Sequence, residues 1–261
     1  MIRTKRIWWD SAVYSMSVFG VVGTLATIVG ESLKDIGIGM VERILGIILC
    51  YVLSVVIIWL ILNWRVKKGV ILNIRDIEVE IKIGDIFKEN DWKIIPFNEY
   101  YDTKVDEKII ASSTLNGMFI ENYVSDINDL KRVIKNVAGT AERKQWKLGD
   151  IITYHDYMLL AFTHFNEKNV AHISKPEYEQ CLLKMWREIR RVYANKKIAI
   201  PLLGSGITSF DDLPTKSEQD LLRCMLCTLR ASGENINQSI TIVLTKKSME
   251  KIDLYKFKGE F

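Results

Sequence analysis

The chain has 261 residues and a formal net charge of +4, with Lys and Arg interleaved among Asp and Glu. That length allows one sizeable domain plus extra segments, and a near balance of charge with no basic stripe argues against a nucleic-acid partner. Cys50, Cys181, Cys224 and Cys227 do not form a disulfide framework, and Cys224-x-x-Cys227 has no second pair to complete a metal site.

The first 68 residues read as membrane. No charged residue occurs over 11–30, and none over 44–64. Each run is close to the ~20 residues a helix needs to cross the hydrocarbon core. The second run holds fourteen Ile, Leu or Val residues, which favour insertion by about 4–8 kcal/mol. The first holds eight Val, Leu, Ile or Phe residues diluted by Ser, Thr and Gly, so it inserts less strongly and leans on the second. No small-x-small cleavage site stands out before Glu31, which argues against a signal peptide. Trp8 and Trp9 open the first span, and Trp59 and Trp64 close the second, as an aromatic belt does. Arg3, Lys5 and Arg6 precede the hairpin, and Arg65, Lys67 and Lys68 follow it. Both ends are therefore expected in the cytoplasm, with a short loop from Glu31 to Arg43 outside. Small residues recur at helical spacing, at Gly46, Cys50 and Ser54 and at Ser11, Ser15, Gly23 and Thr27. Such stripes serve the hairpin's own packing or an oligomer, and the sequence does not separate these.

From 69 to 261, strands alternate with helices, the pattern of an α/β domain with a mixed sheet. Apolar residues at every second position from Asp76 to Phe87 predict a half-exposed strand, and Lys93 to Asn98 predicts a buried one. A helix is expected from Ser125, as its cap, to Val137. Met158 to Thr163 reads as a strand, and Pro176 sits in the first turn of a helix running to about Ala194. Ile198 to Leu203 is a buried strand that runs into Gly204-Ser205-Gly206. Thr215-Lys216-Ser217-Glu218 predicts a capped helix to about Arg230, and Ser239 to Leu244 closes the sheet. A small-residue loop between strand and helix is where an α/β protein holds a phosphate, although Gly-Ser-Gly alone also suits an ordinary turn.

Three motifs follow one another in the order of a known family. Gly84-Asp85-Ile86 follows the first long strand, Ile95-Pro96-Phe97-Asn98 ends the next, and Pro201-Leu202-Leu203-Gly204-Ser205-Gly206-Ile207 leads to Phe210. The chain resembles a macro domain, the ADP-ribose-binding three-layer α/β/α sandwich. The stretches from Asn98 through Asp102-Thr103, Leu115-Asn116-Gly117, Leu202 to Thr208 and Lys251 to Phe257 resemble the macro domain of Thoeris antiphage effectors. A two-span hairpin before that domain resembles their transmembrane–macro type.

The resemblance implies an ADP-ribose-derived ligand, similar to ADP-ribose bearing a histidine and made from NAD by a TIR-domain partner. Binding is then expected to drive homo-oligomer formation and disruption of the bilayer. It assigns Asp85 to the adenine amino group, Ile86 to the ligand site, Asn98 to the distal ribose, and Asp102, Thr103, Leu115, Asn116 and Gly117 to the ligand and the first phosphate loop. Gly204, Ser205, Gly206 and Ile207 fall to the second phosphate loop, and Phe210 to the ribose or adenine side. Asp85 also suits a helix N-cap, Asn98 a turn, and Asp102 loop structure. The first loop, Ser112 to Met118, lacks the glycine run of hydrolytic relatives, so ligand binding without catalysis, cofactor or metal is expected, with membrane-anchored ADP-ribosyl hydrolysis as the alternative.

Overall fold

The structure, a computed structural model, describes residues 5–29, 40–139, 144–166, 170–212 and 217–261. Residues 31–39 of the predicted outer loop and Thr215 fall outside those residues, and 40–43, also expected in that loop, are helical. By its internal contacts the chain divides into two units. One comprises Met1–Val70 with Asp253–Glu260, and the other Ile71–Ile252 with Phe261.

The first unit is built on two helices, α1 (Lys5–Val29) and α2 (Met40–Lys68). Trp8 stacks on Trp59 with ring centroids 5.0 Å apart. Phe19 meets Tyr51 edge-on, and the Tyr51 hydroxyl donates to Ala12 O at 3.3 Å. Contact between the start of α1 and the end of α2 makes the pair antiparallel. Ser11 and Ser15 are buried, whereas a Cβ at Gly23 or Gly46 would meet nothing within 4 Å. Close packing within this unit therefore uses the serines and not these glycines. Among the described residues, Ile44–Trp64 of α2, with a mean hydropathy of 3.0, is the one segment long and apolar enough to cross a membrane.

The second unit is a mixed sheet between helical layers. Its strands are β1 (Val70–Ile74), β2 (Ile77–Ile83), β3 (Trp92–Asn98), β4 (Ile151–Tyr154), β5 (Tyr157–Phe165), β6 (Ala171–Ile173), β7 (Ile198–Pro201), β8 (Ser209–Phe210) and β9 (Ile240–Leu244). The order is β1-β2-β9-β7-β3-β5-β6-β8, with β4 paired to β5. The β2–β9, β9–β7, β7–β3 and β3–β5 pairs are parallel, and β4–β5 and β5–β6 are antiparallel. Every residue of β7 and β9 is buried, which requires cover on both faces.

Alternation along β3 and β5 delivers that cover. Ile95, Phe97, Leu159 and Ala161 share a core with Phe119 and Leu130 of α3 (Leu115–Asn122) and α4 (Ile127–Ala138). Phe162, of opposite parity, meets Tyr178 of α5 (Lys175–Val192) at 5.9 Å, and the Trp186 indole of α5 donates to Thr228 of α6 (Glu218–Ser232) at 3.1 Å. This is the expected α/β/α sandwich. The chain finishes with α7 (Lys246–Lys251) and α8 (Leu254–Phe257), which fall in different units.

Several boundaries differ from expectation for local reasons. The strand expected over Asp76–Phe87 stops at Ile83, because Gly84 and Asp85 turn the chain into a short 3-10 turn, Ile86–Lys88. Asp126, not Ser125, caps α4 by accepting from Asn128 N. Ser217 caps α6, and Ser174 with Glu177 closes a capping box on α5. The predicted first loop is half helix: Thr114 caps α3, so Leu115 to Met118 are its first turn.

Candidate functional site

A cavity of about 610 Å³ lies at the carboxyl ends of β2, β9, β7, β3 and β5. That is where an open α/β sheet offers strand-to-helix turns and helix starts to a ligand. Asp85, Ile86, Asn98, Leu115, Asn116, Gly204, Ser205, Gly206 and Ile207 all line it, although they come from four separate stretches of sequence. Asp102, Thr103, Gly117 and Phe210 do not.

Asp85 follows β2 and accepts from Phe87 N through Oδ1 at 3.1 Å, so it caps the 3-10 turn. It is exposed at the cavity wall and is the sole charged side chain among the described lining residues. Asn98, at the end of β3, is committed to its own turn. Its Oδ1 accepts from Tyr100 N and Asp102 N, both at 3.1 Å, and its Nδ2 donates to Asp102 Oδ2 at 2.8 Å. Asp102 is thus held against Asn98 as part of the loop. The turn is locked from below by Tyr101, whose hydroxyl donates to Asp150 O at 2.8 Å and accepts from Ala161 N at 3.1 Å. Burial holds the Tyr101 phenol well above its ordinary pKa.

The start of α3 forms the next wall. Gly117 N donates to the Thr114 hydroxyl at 3.2 Å. A Cβ on Gly117 would sit 2.3 Å from Ala111 O, so this glycine lets the helix approach its own preceding loop and does not make room for a ligand. That loop is shaped by two carboxylates. Asp106 accepts from Ile109 N at 2.8 Å and Lys108 N at 3.0 Å and pairs with Lys104, and Glu107 accepts from Ser112 N at 2.8 Å. The Ile109 amide, then Lys104, lower the Asp106 carboxyl to about 2, and the Ser112 amide lowers Glu107.

In the loop after β7, Gly204 has φ +80°, and the Ser205 hydroxyl donates to Leu202 O at 2.7 Å. Phe210 is buried against Tyr178, with centroids 5.4 Å apart, and its ring lies next to Gly204. It supports the loop from behind. Gly206 differs, since a Cβ there would meet nothing within 4 Å. Ile207 stands 71% exposed at the rim.

The lining also holds residues that sequence reasoning passed over. Phe87, two residues after Asp85, stacks on Tyr123 with ring centroids 4.2 Å apart, and Thr245 and Ser248 follow β9. Recognition of α3 as a helix would have brought Tyr123 to this wall, and T-x-x-S after the last strand is a capping signal. Behind the β5 wall, His164 Nδ1 lies 2.6 Å from the buried Glu99 Oε2, which also accepts from Gln145 at 2.7 Å. The second Gly-Asp-Ile, at Gly149 to Ile151, is structural: Lys184 pairs with Asp150 at 2.6 Å. Burial pushes the Cys224 thiol up to about 12, which suits packing.

Residues 79–245 match the family described as Thoeris protein ThsA, Macro domain. The Thoeris protein ThsA of Bacillus amyloliquefaciens (strain Y2) is 36% identical over 257 residues, covering 91% of this chain and 86% of the relative. Among solved structures, a mutant Oceanobacillus iheyensis macrodomain with ADPR aligns over 74% of this chain and 97% of its own at 14% identity, with a TM-score of 0.49. The Oceanobacillus iheyensis macrodomain with ADP aligns over 74% and 95% at 16% identity, with a TM-score of 0.48.

Proposed function

The chain belongs to the family of the Thoeris protein ThsA and its macro domain, and on that premise we propose that it is a membrane effector of bacterial antiphage defence gated by a nucleotide signal. The signal is an ADP-ribose derivative, histidine-ADP-ribose, made from NAD by a TIR-domain partner. Its binding drives the chain into a homo-oligomer. The α1–α2 hairpin, crossing the inner membrane twice with both termini in the cytoplasm, then disrupts the bilayer.

One observation carries this reading: the turn after β2, the start of α3 and the Leu202 to Thr208 loop line a single cavity at the carboxyl ends of parallel strands. Asp85 accepts the adenine amino group there, and a site built for that donor loses heavily when it is missing. No Lys or Arg lines the described wall. The diphosphate is therefore held by backbone N–H groups of the Gly204–Gly206 loop and by the positive start of α3. Hydrolysis needs an acid or base at the scissile bond. Asp102 is bound to Asn98 and does not line the cavity, which favours binding over turnover.

Titration calorimetry of the full chain in detergent tests this. Saturable binding of ADP-ribose and its histidine derivative is expected, with no ADP-ribose released from an ADP-ribosylated protein. No heat with either ligand overturns the binding reading, and steady release establishes the hydrolase.

A further inference from the structure

The chain passes between its two units after Val70, after Ile252 and again before the terminal Phe261, and the first two crossings adjoin one end of the cavity in sequence. It enters the α/β unit after Val70, through β1 and the two-residue Arg75-Asp76 turn, and β2 then runs straight to Gly84 and Asp85. It leaves after Ile252, once β9 has delivered Leu244 and Thr245 to the cavity wall and α7 has followed with Ser248. β2 and β9 are parallel neighbours in register to Ile83 and Leu244, and Gly84 N donates to Leu244 O at 3.1 Å. The rim formed by Gly84, Asp85, Thr245 and Ser248 is thus one element from each crossing. The other lining stretches, from β3, the loop and start of α3, β5, β6 and the loop after β7, enter and return within the α/β unit.

The segment beyond the second crossing is a folded part of the helical unit. Asp253 caps α8 by accepting from Lys256 N at 3.3 Å, and Leu254 and Phe257 are buried. The Tyr255 hydroxyl donates to the Asp10 carboxylate on α1. Upstream, Lys251 Nζ lies 2.6 Å from the buried Glu218 Oε1, which ties the end of α7 to the start of α6. Each end of the Lys251–Tyr255 stretch is therefore pinned, one in each unit, with only Ile252 to Leu254 between. A stretch this short cannot absorb displacement as a flexible tether does.

We propose that Asp253–Glu260 is a strap, a second mechanical link beside the Lys68–Val70 connection, that carries a change at the Asp85–Ser248 rim through α7 to α1. The proposal rests on the ligand-gated reading. A unit tied at one point can turn about it, whereas the two ties adjoining this rim, with Phe261 returning the chain to the α/β unit beyond them, convert a local shift there into a force on α1. The differential contact that a ligand needs in order to bias two states is then a contact with this rim.

Hydrogen exchange on the full chain in detergent tests it, with Tyr255→Phe and Asp10→Asn as conservative variants and ADP-ribose as the probe. Without ligand, both variants are expected to speed exchange about tenfold at residues 7–15 and 253–260, the scale of losing one hydrogen bond to a charged group. Exchange in β7 and β9 stays unchanged and reports an intact fold. In the wild type, saturating ADP-ribose alters exchange at Gly84–Phe87 and Ser248 and also at residues 7–15. In Tyr255→Phe the second response is lost while affinity for ADP-ribose is kept. Variants that exchange like wild type, or a ligand response confined to the α/β unit, overturn the strap. Absence of any response at Gly84–Phe87 removes the ligand reading instead, and the ligand-free arm still decides the strap.

Discussion

At Gly204 the backbone sits at φ +80°, and a Cβ would lie 3.3 Å from the Phe210 ring. Gly204→Ala is expected to cost about 1–2 kcal/mol from the left-handed conformation alone. Gly117→Ala drives a methyl to 2.3 Å from a backbone carbonyl that cannot rotate away, an overpacking cost of about 1–3 kcal/mol. Gly206→Ala meets open space and leaves stability within about 0.5 kcal/mol, yet weakens ADP-ribose binding by covering the backbone. Denaturant midpoints and calorimetry on the three variants separate these roles; equal loss of stability in all three would refute them. Asp85→Ala is expected to weaken ADP-ribose binding about 10–100-fold, the scale of a lost hydrogen bond to a carboxylate. Removing its cap on Phe87 N lowers stability by about 1 kcal/mol. Unchanged affinity in calorimetry would leave Asp85 as a cap alone. Asp85 and Asn98 show the limit of residue-level reading. Both offered a binding and a local role, and the structure supplies the local bond for each without removing either from the cavity wall.

Among elements, the Thr103–Thr114 loop is one whose order depends on charge. Asp106 and Glu107 titrate lower in the folded chain than in the unfolded one. Their contribution is therefore complete above the ordinary carboxylate range, near pH ~4, and is lost as pH falls through the folded values, about 2 for Asp106. Carboxyl NMR should show the Asp106 midpoint near 2, with faster amide exchange of Lys108 and Ile109 below it. An ordinary midpoint would refute the restraint. Asp106→Ala should release the Lys108 and Ile109 amides at neutral pH. Periodicity made the long elements legible: β3, α4, α5, β7 and β9 stand within a few residues of expectation. Elements shorter than their own repeat were not, as with β6, β8 and the start of α3. Their residues, such as Ser209-Phe210, carry no pattern, and pairing with β6 alone makes them a strand.

For the whole molecule, the contrast lies between α2, whose apolar side chains stay exposed over Ile44–Trp64, and the buried strands of the sheet. Leu53→Arg, in the middle of that segment, should cost about 3 kcal/mol on insertion and shift the chain from the membrane fraction; unaltered fractionation would argue against a bilayer around α2. Light scattering in detergent should show a larger assembly with saturating ligand, and no change in size would refute gating by association. By itself the sequence determined the apolar hairpin segment, the alternation of strands and helices, and the order of the Gly-Asp-Ile, Pro-Phe-Asn and Gly-Ser-Gly turns, because each is a local pattern of polarity or backbone freedom. Which turns share one cavity depends on strand order. β9, last in the sequence, inserts between β2 and β7 and so brings Thr245 and Ser248 beside Asp85. The grouping of Asp253–Glu260 with the helical unit likewise brings residues 10 and 255 together. Tertiary structure alone decides such pairings, because burial and hydrogen bonding select partners by proximity in space and no local periodicity encodes them.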